Sequence, residues 1–360
     1  MKWVKTSMID DEIQNNFVVL NLAESNIDKE EGETRYLSID EAGKFKLLDL
    51  INKSDVVIHY FLDYTKSELI LKSNENVKHY WYFFGADIYQ QMKLFRSDLY
   101  FSQTKKWMRF NVLFRFKLEL RALKYRVFLR KPSPTQLLKK SFDRIENVLW
   151  YVEDEIDWIK SKTDLPKLKY HKFFEFNQVI PFEKSGLDID SKKILIGNSC
   201  SPENNHLDIL ERIELNVDYS YGLPFNYGEP ASYKEYVKKK FLNKLGTNVE
   251  LLESKMELSD YYSWLNSFPT AIMYHNRQQA LGNIFYLITN GTKLYLSETN
   301  IIFKWLLKNG IAVFSFENDF VNDQSRSDLI LNQEIRTENY SKLKVLLSKE
   351  STFIESLKEN

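Results

Sequence analysis

Two short polar clusters combine residue types and spacing suited to binding an anion. The first is Asn276-Arg277-Gln278-Gln279, set between the apolar run SFPTAIMY (267–274) and a helical pattern. Leu281, Ile284, Phe285, Leu287 and Ile288 recur at helical spacing until Asn290-Gly291 stops them. A strand-to-helix turn gathers free backbone N–H groups at the positive end of the helix dipole. Arg277, Gln278, Gln279, Gly282 and Asn283 fall there. The second cluster is Gly197-Asn198-Ser199 with Asn204, Asn205 and His206, which follows KKILI and precedes another helix. Taken alone it reads equally as a βα loop with an asparagine cap. Neither cluster matches G-x-G-x-x-G or a P-loop, which argues against NAD enzymes and NTPases. The remaining common use is a sugar nucleotide's pyrophosphate, held by backbone N–H groups and one cation, here Arg277.

Other residues carry two readings each. Glu298, just after KLYLS, has the place of an acid that accepts both ribose hydroxyls, and Asn300 follows it; a dipole-stabilised acid at a helix start fits as well. Tyr221-Gly222 reads as a neighbour of a nucleobase or as a plain turn. Asp87, after HYWYFFGA, suits a general base or a helix N-cap, and His59 ends the preceding strand, where a histidine is more often structural. Thr104–Lys131 holds ten Lys/Arg, one Glu and six aromatics. Lys105, Lys106, Arg109, Arg115, Lys117, Arg121 and Lys124 on this helix would meet anionic phospholipid, with an ordinary amphipathic helix as the alternative. No RNA-binding signature accompanies it. Asp188-Ile-Asp190 has the D-x-D form of some metal-dependent transferases, but it precedes a strand and is read as coincidence.

These residues need a scaffold. A chain of 360 residues suggests two domains. Lys+Arg and Asp+Glu are both 50, so no net charge steers it to nucleic acid. Its single cysteine, Cys200, excludes an internal disulfide and fits a reducing compartment. The opening residues reach two aspartates before any apolar stretch, unlike a signal peptide, and no run suits a membrane span. In the first half FVVLNL, VVIHYFL and HYWYFF read as strands, with helices at 40–51, 66–71, about 109–129 and 134–150. From Ser191 strands and helices alternate strictly: KKILIGNS, ERIELNVDYSYG, NVELLES, PTAIMYH, TKLYLSE and IAVFSFEN, with helices at 206–210, 232–245, 258–268, 279–289 and 300–308. That alternation predicts a parallel sheet covered by helices, with ligands at the strands' carboxyl ends. The polar stretch 183–190 is the linker between two Rossmann-like domains facing a cleft.

Several separated motifs, ILIGNSCSPENNH, YGEPASYKEYV, KMELSDYYSWL and YHNRQQALGNIFYLITNGTKLYLSETN, resemble the bacterial TDP-N-acetylfucosamine:lipid II transferases, glycosyltransferase family 56. HYFLDYTKSEL and HYWYFFGADIY are similar to family segments too, so the resemblance spans roughly 59–307. It implies an α/β fold of the GT-B type, no metal or cofactor, a TDP-sugar donor and a polyprenyl-diphosphate-linked glycan acceptor. Together with the element pattern this divides the chain into an N-terminal acceptor-binding domain at 1–185 with the basic helix and a donor domain at 186–345. A C-terminal helix at 346–360, which the resemblance does not cover, is a candidate to pack back on the first domain. The resemblance places donor contacts at Gly197, Asn198, Ser199, Asn204, His206, Arg277, Gln278, Gln279, Gly282, Glu298 and Asn300. Gly85, Ala86 and Asp87 match the family's GAD element and His59 its strand-end histidine. Two positions depart from the pattern: Ala280 and Cys200 stand where glycine is common. The implied setting is peripheral, at the cytosolic face of the bacterial inner membrane, in enterobacterial common antigen or O-antigen synthesis. A soluble transferase on a non-lipid acceptor and a non-catalytic sugar-nucleotide binder are the alternatives.

Overall fold

The structure is a computed structural model that describes residues 14–21, 29–31, 34–90, 92, 95, 98–110, 120, 124–163, 167–173, 186–214, 218–326, 328–348, 353 and 357. The chain forms two compact units, one of 1–91, 120–175 and 350–360, the other of 92–119 and 176–349.

The first unit starts with β1 (Phe17–Asn21), β2 (Lys29–Glu31) and β3 (Thr34–Ser38), in which β1 pairs parallel and β2 antiparallel with β3. Its main sheet runs β4 (Val56–Tyr60), β5 (Lys78–Tyr82), β6 (Ile145–Trp150), β7 (Lys169–Lys172), all parallel. The helices Glu41–Asn52 and Tyr64–Lys72 begin at aspartates, Asp40 and Asp63, whose carboxylates accept the Gly43 and Lys66 amides. Phe353 is buried against the rings of Tyr80 and Phe173.

The second unit carries β8 (Lys193–Ile196), β9 (Ser220–Pro224), β10 (Val249–Leu252), β11 (Thr270–Met273), β12 (Lys293–Leu296) and β13 (Phe314–Ser315). They form one parallel sheet in the order β10-β9-β8-β11-β12-β13. The chain winds outward from β8 to β10, then returns to β8's other side and winds outward again through β13. This is the doubly wound order of a dinucleotide-binding fold, and its switch point lies between β8 and β11. β11 and β12 are buried along their whole length, as expected of central parallel strands. Ile194, Leu223, Ile272 and Tyr295 meet Tyr233 and Phe241 of the helix Ala231–Leu245 in the core.

Several expectations change. The helix read over 134–150 ends at Ser141; its second half is a short turn and then β6, whose Ile145, Val148, Leu149 and Trp150 are buried. The helix at 102–110 starts before the one read at 109–129, and the described part of that span ends in a π-helical turn, 124–128. The strand read over 211–222 is a helix end to Arg212 and β9 from Ser220. Residues 102–110, counted with the N-terminal domain by sequence, cluster with the second unit. Asp208 explains why: its carboxylate accepts the Gln103 amide (2.8 Å), the Thr104 amide (3.0 Å) and the Thr104 hydroxyl (2.7 Å). Those bonds fix the helix start Ser102–Phe110 on the helix His206–Arg212.

Candidate active site

The two polar loops leave the adjacent strands β8 and β11 at the switch point, the place where open α/β sheets bind ligands. Gly197 follows β8 with φ +68°, and a Cβ there would stand 2.6 Å from Asn204 Oδ1 and 3.2 Å from His206 Nε2. Only glycine suits this turn. It lets the Asn198 amide donate to Asn204 Oδ1 (2.8 Å), while Asn204 Nδ2 donates to Ser199 Oγ (3.0 Å). From the β11 side His275 enters the same network. Its Nε2 faces Asn204 Oδ1 (2.9 Å) and Asn198 Oδ1 (3.1 Å). Two amide oxygens require an N–H, so Nε2 carries the proton. Burial first, then the charge of Arg277, holds the His275 pKa down to about 3, so the ring stays neutral. Gln279 Nε2 adds a bond to Asn198 Oδ1 (3.1 Å), and Asn198 Nδ2 reaches the Tyr227 hydroxyl (2.7 Å).

Arg277 is buried and committed. Its Nε (3.1 Å) and Nη2 both donate to Glu203 Oε2, and Nη1 donates to the Gln278 carbonyl (2.7 Å). Sequence reasoning gave Arg277 to a bound diphosphate; here it shapes the loop. Asn300 clamps that loop from β12's side: Nδ2 donates to the carbonyls of His275 (3.0 Å) and Arg277 (2.9 Å), and Oδ1 caps Ile302 (2.9 Å). Asn205, in the left-handed region at φ 53°, donates to the Tyr274 carbonyl (3.0 Å).

His275 Nδ1 has no partner, and further unsatisfied groups gather at the start of the helix Leu281–Asn290. Ala280, its N-cap, is left-handed at φ 57° and offers no side-chain cap. A Cβ on Gly282 would meet nothing within 4 Å, so the first turn is openly approachable. Gln278 Oε1 and Gln279 Oε1 are buried without a hydrogen-bond partner. Asn283 Nδ2 reaches the Tyr261 hydroxyl (2.8 Å) beside the same turn. At the carboxyl end of β12, half-buried Glu298 accepts from Asn318, and its amide donates to Glu317 Oε2 (3.1 Å). Hydrogen bonds from Ser315 and Asn318 hold its carboxyl below the usual range, which keeps it ionised and able to accept two hydroxyls.

Like Ser199, Asn204 and Asn300 of the loops, four further expected site residues are interior. Tyr221 is 1% exposed within β9 and packs in the core rather than beside a base. His206 is fully buried with neither ring nitrogen bonded, ringed by Phe225, Tyr233 and Phe241, and burial lowers its pKa to about 3. In the first unit His59 is buried, with Nε2 facing His79 Nδ1 (3.0 Å), and His79 Nε2 meets Ser73 Oγ (2.8 Å). Asp87 has no exposed surface. Its Oδ2 accepts Trp81 Nε1 (2.6 Å), the Phe84 amide (3.4 Å) and the Leu62 amide (3.5 Å), so it ties together the loops after β4 and β5. Burial pushes its pKa up to about 6. Asp87 Oδ1 is buried without a hydrogen-bond partner, and both groups lie below the surface, where a general base needs a path to the acceptor hydroxyl. Asp188 and Asp190 sit in the turn before β8, where the Asp188 amide donates to the Asn266 carbonyl (3.0 Å).

Of the basic segment, Lys106, Arg109 and Lys124 are exposed and Lys105 is half-buried; Arg115, Lys117 and Arg121 lie outside the described residues. No helix among the described residues is long and apolar enough to cross a membrane. Sequence reasoning missed Glu203, His275, Tyr227 and Glu317. Glu203 carried a signal, as the one acid inside the polar loop SPENNH.

Residues 119–335 match the profile of the family described as 4-alpha-L-fucosyltransferase, glycosyl transferase group 56. The chain belongs to glycosyltransferase family 56. This chain shares the GT-B fold of the following solved glycosyltransferases. Sucrose-phosphate synthase from Thermosynechococcus elongatus superposes with a TM-score of 0.59 at 9% identity, over 92% of this chain and 84% of that one. An α-glucosyltransferase solved with UDP gives 0.53 at 10% identity, over 92% and 86%. TarM gives 0.54 at 13% identity, over 88% of this chain and 56% of TarM. The family 56 chain is therefore a glycosyltransferase.

Proposed function

We propose that this family 56 enzyme moves a 4-acetamido-4,6-dideoxy sugar, Fuc4NAc or a close relative, from a TDP-sugar to a polyprenyl-diphosphate-linked glycan of a surface polysaccharide. The observation that carries the donor half is the uncapped, open start of the helix Leu281–Asn290 at the sheet's switch point. Its backbone N–H groups would hold the diphosphate. Glu298 would accept the ribose hydroxyls, and Gln278 Oε1 and Gln279 Oε1 would accept hydroxyl or amide donors of the donor substrate. Arg277 and Glu203 would position the loop. As the bond between the anomeric carbon and the β-phosphate oxygen breaks, negative charge grows on the phosphate. The helix N–H groups then bind more strongly than in the ground state, which is what lowers the barrier. The acceptor oxygen bonds to the anomeric carbon and releases its proton. If the anomeric centre inverts, that proton would go to Asp87, whose buried Oδ1 has no hydrogen-bond partner; if it is retained, to the departing diphosphate oxygen. The basic segment from Lys105 to Lys124 would keep the enzyme at the cytosolic membrane face, where a lipid-linked acceptor is met.

The test is thermal stabilisation by TDP, UDP, GDP and CMP, followed by acceptor-dependent release of TDP from TDP-Fuc4NAc. Selective stabilisation by TDP and acceptor-dependent release are expected. Stabilisation by UDP or GDP alone would reject the thymidine donor, and TDP binding without turnover would reject the transferred sugar.

A further inference from the structure

A groove of about 990 Å³ opens on the second unit among the helices Ser102–Phe110, His206–Arg212 and Ala231–Leu245. Its floor is apolar: Trp107, Leu207 and Leu210. Its rim carries three ammonium groups, Lys106, Lys240 and Lys244. The Lys244 Nζ donates to the Leu210 carbonyl (2.6 Å), which fixes its place, and Lys240 lies 5.5 Å from the Tyr236 ring centre. Among the described residues no carboxylate pairs with Lys106 or Lys240. The one acid in the lining, Glu211, is engaged by Gln103 Nε2 (2.7 Å). Two aromatics stand out of the rim, Phe110 at 77% and Tyr236 at 39% exposure.

We propose that this groove docks the enzyme on anionic phospholipid. The headgroup phosphate seats among Lys106, Lys240 and Lys244, and Phe110 and Tyr236 enter the interfacial layer. Cations alone would serve a free phosphate, which has no use for an apolar floor or for protruding rings. A leaflet uses all three features: phosphate for the ammoniums, glycerol and upper acyl carbons for the floor, and the interface for amphipathic or apolar rings. Lys240, Lys244 and Tyr236 lie far along the chain from the basic segment visible in sequence; folding makes one surface of the two. The inference gives the membrane setting of the proposed function a site, yet its binding test needs no donor or acceptor.

The experiment is co-sedimentation of the full chain with vesicles of phosphatidylcholine alone and with phosphatidylglycerol added. The variants are Lys106→Glu/Lys240→Glu, Phe110→Ser, and the control Lys255→Glu/Lys304→Glu, which makes the same charge change at exposed positions away from the groove. Wild type should bind only the anionic vesicles. The groove reversal should weaken partitioning at least about tenfold, since each lysine near such a surface contributes appreciably. Phe110→Ser should weaken it several-fold, the control should stay near wild type, and thermal unfolding should confirm that all variants fold. Equal loss in the control, equal binding to neutral vesicles, or no binding by wild type would overturn the proposal. So would displacement by millimolar inorganic phosphate, which would give the groove to a soluble anion, or tighter retention by poly(U) RNA. Loss of vesicle binding with nucleotide stabilisation intact separates this inference from the donor reading.

Discussion

The two units offer polar residues at strand ends in the same way and use them differently. After β8 and β11, Asn198, Asn204, His275 and Gln279 bond to one another and hold a helix start open and uncapped. At the end of β4 and after β5, His59 and Asp87 turn inward to His79, Trp81 and backbone amides, with Asp87 Oδ1 left unbonded, and exposed Phe84 stands at that end of the strands. A polar side chain at a strand's carboxyl end is thus no sign of a site by itself. The sign is unspent hydrogen-bonding capacity at an approachable place: free N–H groups and amide oxygens beside the open first turn, whereas Asp87 Oδ1 is unspent but has no exposed surface.

The sharpest break of that comparison is Glu203→Gln. It strands the Arg277 guanidinium in a buried place and should cost about 3–5 kcal/mol in urea unfolding. The apolar pair Glu203→Leu/Arg277→Met should recover most of that loss, because it removes both charges. An innocuous Glu203→Gln would show that the loop does not depend on this pair.

Asp87 tests the other unit through pH. Its pKa is raised from 3.8 to about 6 on folding, so its contribution is full below about pH 4 and disappears as pH rises through about 6. Asp87→Asn lacks that titration. Its stability relative to wild type should therefore improve by about 2–3 kcal/mol between pH 4 and pH 7, with nucleotide stabilisation unchanged. A variant that keeps the wild-type pH profile but loses kcat would mark Asp87 as the base.

The two histidines at the switch point separate bonded from unbonded burial. His275→Phe removes the N–H shared by two asparagine oxygens and should cost about 1–3 kcal/mol. His206→Phe removes two unbonded nitrogens and should be near neutral at pH 7. Both folded pKa values are about 3 against an ordinary 6.5, so each histidine's contribution is present above about pH 6.5 and is lost as pH falls toward 3. His206→Phe should accordingly gain on wild type as the solution is acidified. Urea midpoints from pH 7 to pH 4 read this directly.

Much of the second unit was legible because short apolar runs alternate with helices that have clear stops, such as Gly291 after Asn290. The first unit was less so: helical spacing continues past Ser141 into Ile145–Trp150, and only the sheet turns that run into a strand. At the site, local sequence located both loops and the helix start. It could not show that Glu203, 74 residues from Arg277, takes that cation, nor that His275 bridges two asparagines over 70 residues away. Tyr221 and His206 lie next to the loops in sequence but point into the core, a direction that no local pattern encodes.

The central claim, that the nucleotide's diphosphate rests on the start of the helix Leu281–Asn290, is tested most directly at Gly282. Gly282→Glu places an anion where the space is open and where the helix dipole favours it, so stability should hold or rise by about 0.3–1 kcal/mol. The same carboxylate would occupy and repel the diphosphate. Calorimetric titration with TDP is expected to show clear binding by wild type and none by a well-folded Gly282→Glu. Undiminished TDP affinity in that variant would contradict the placement.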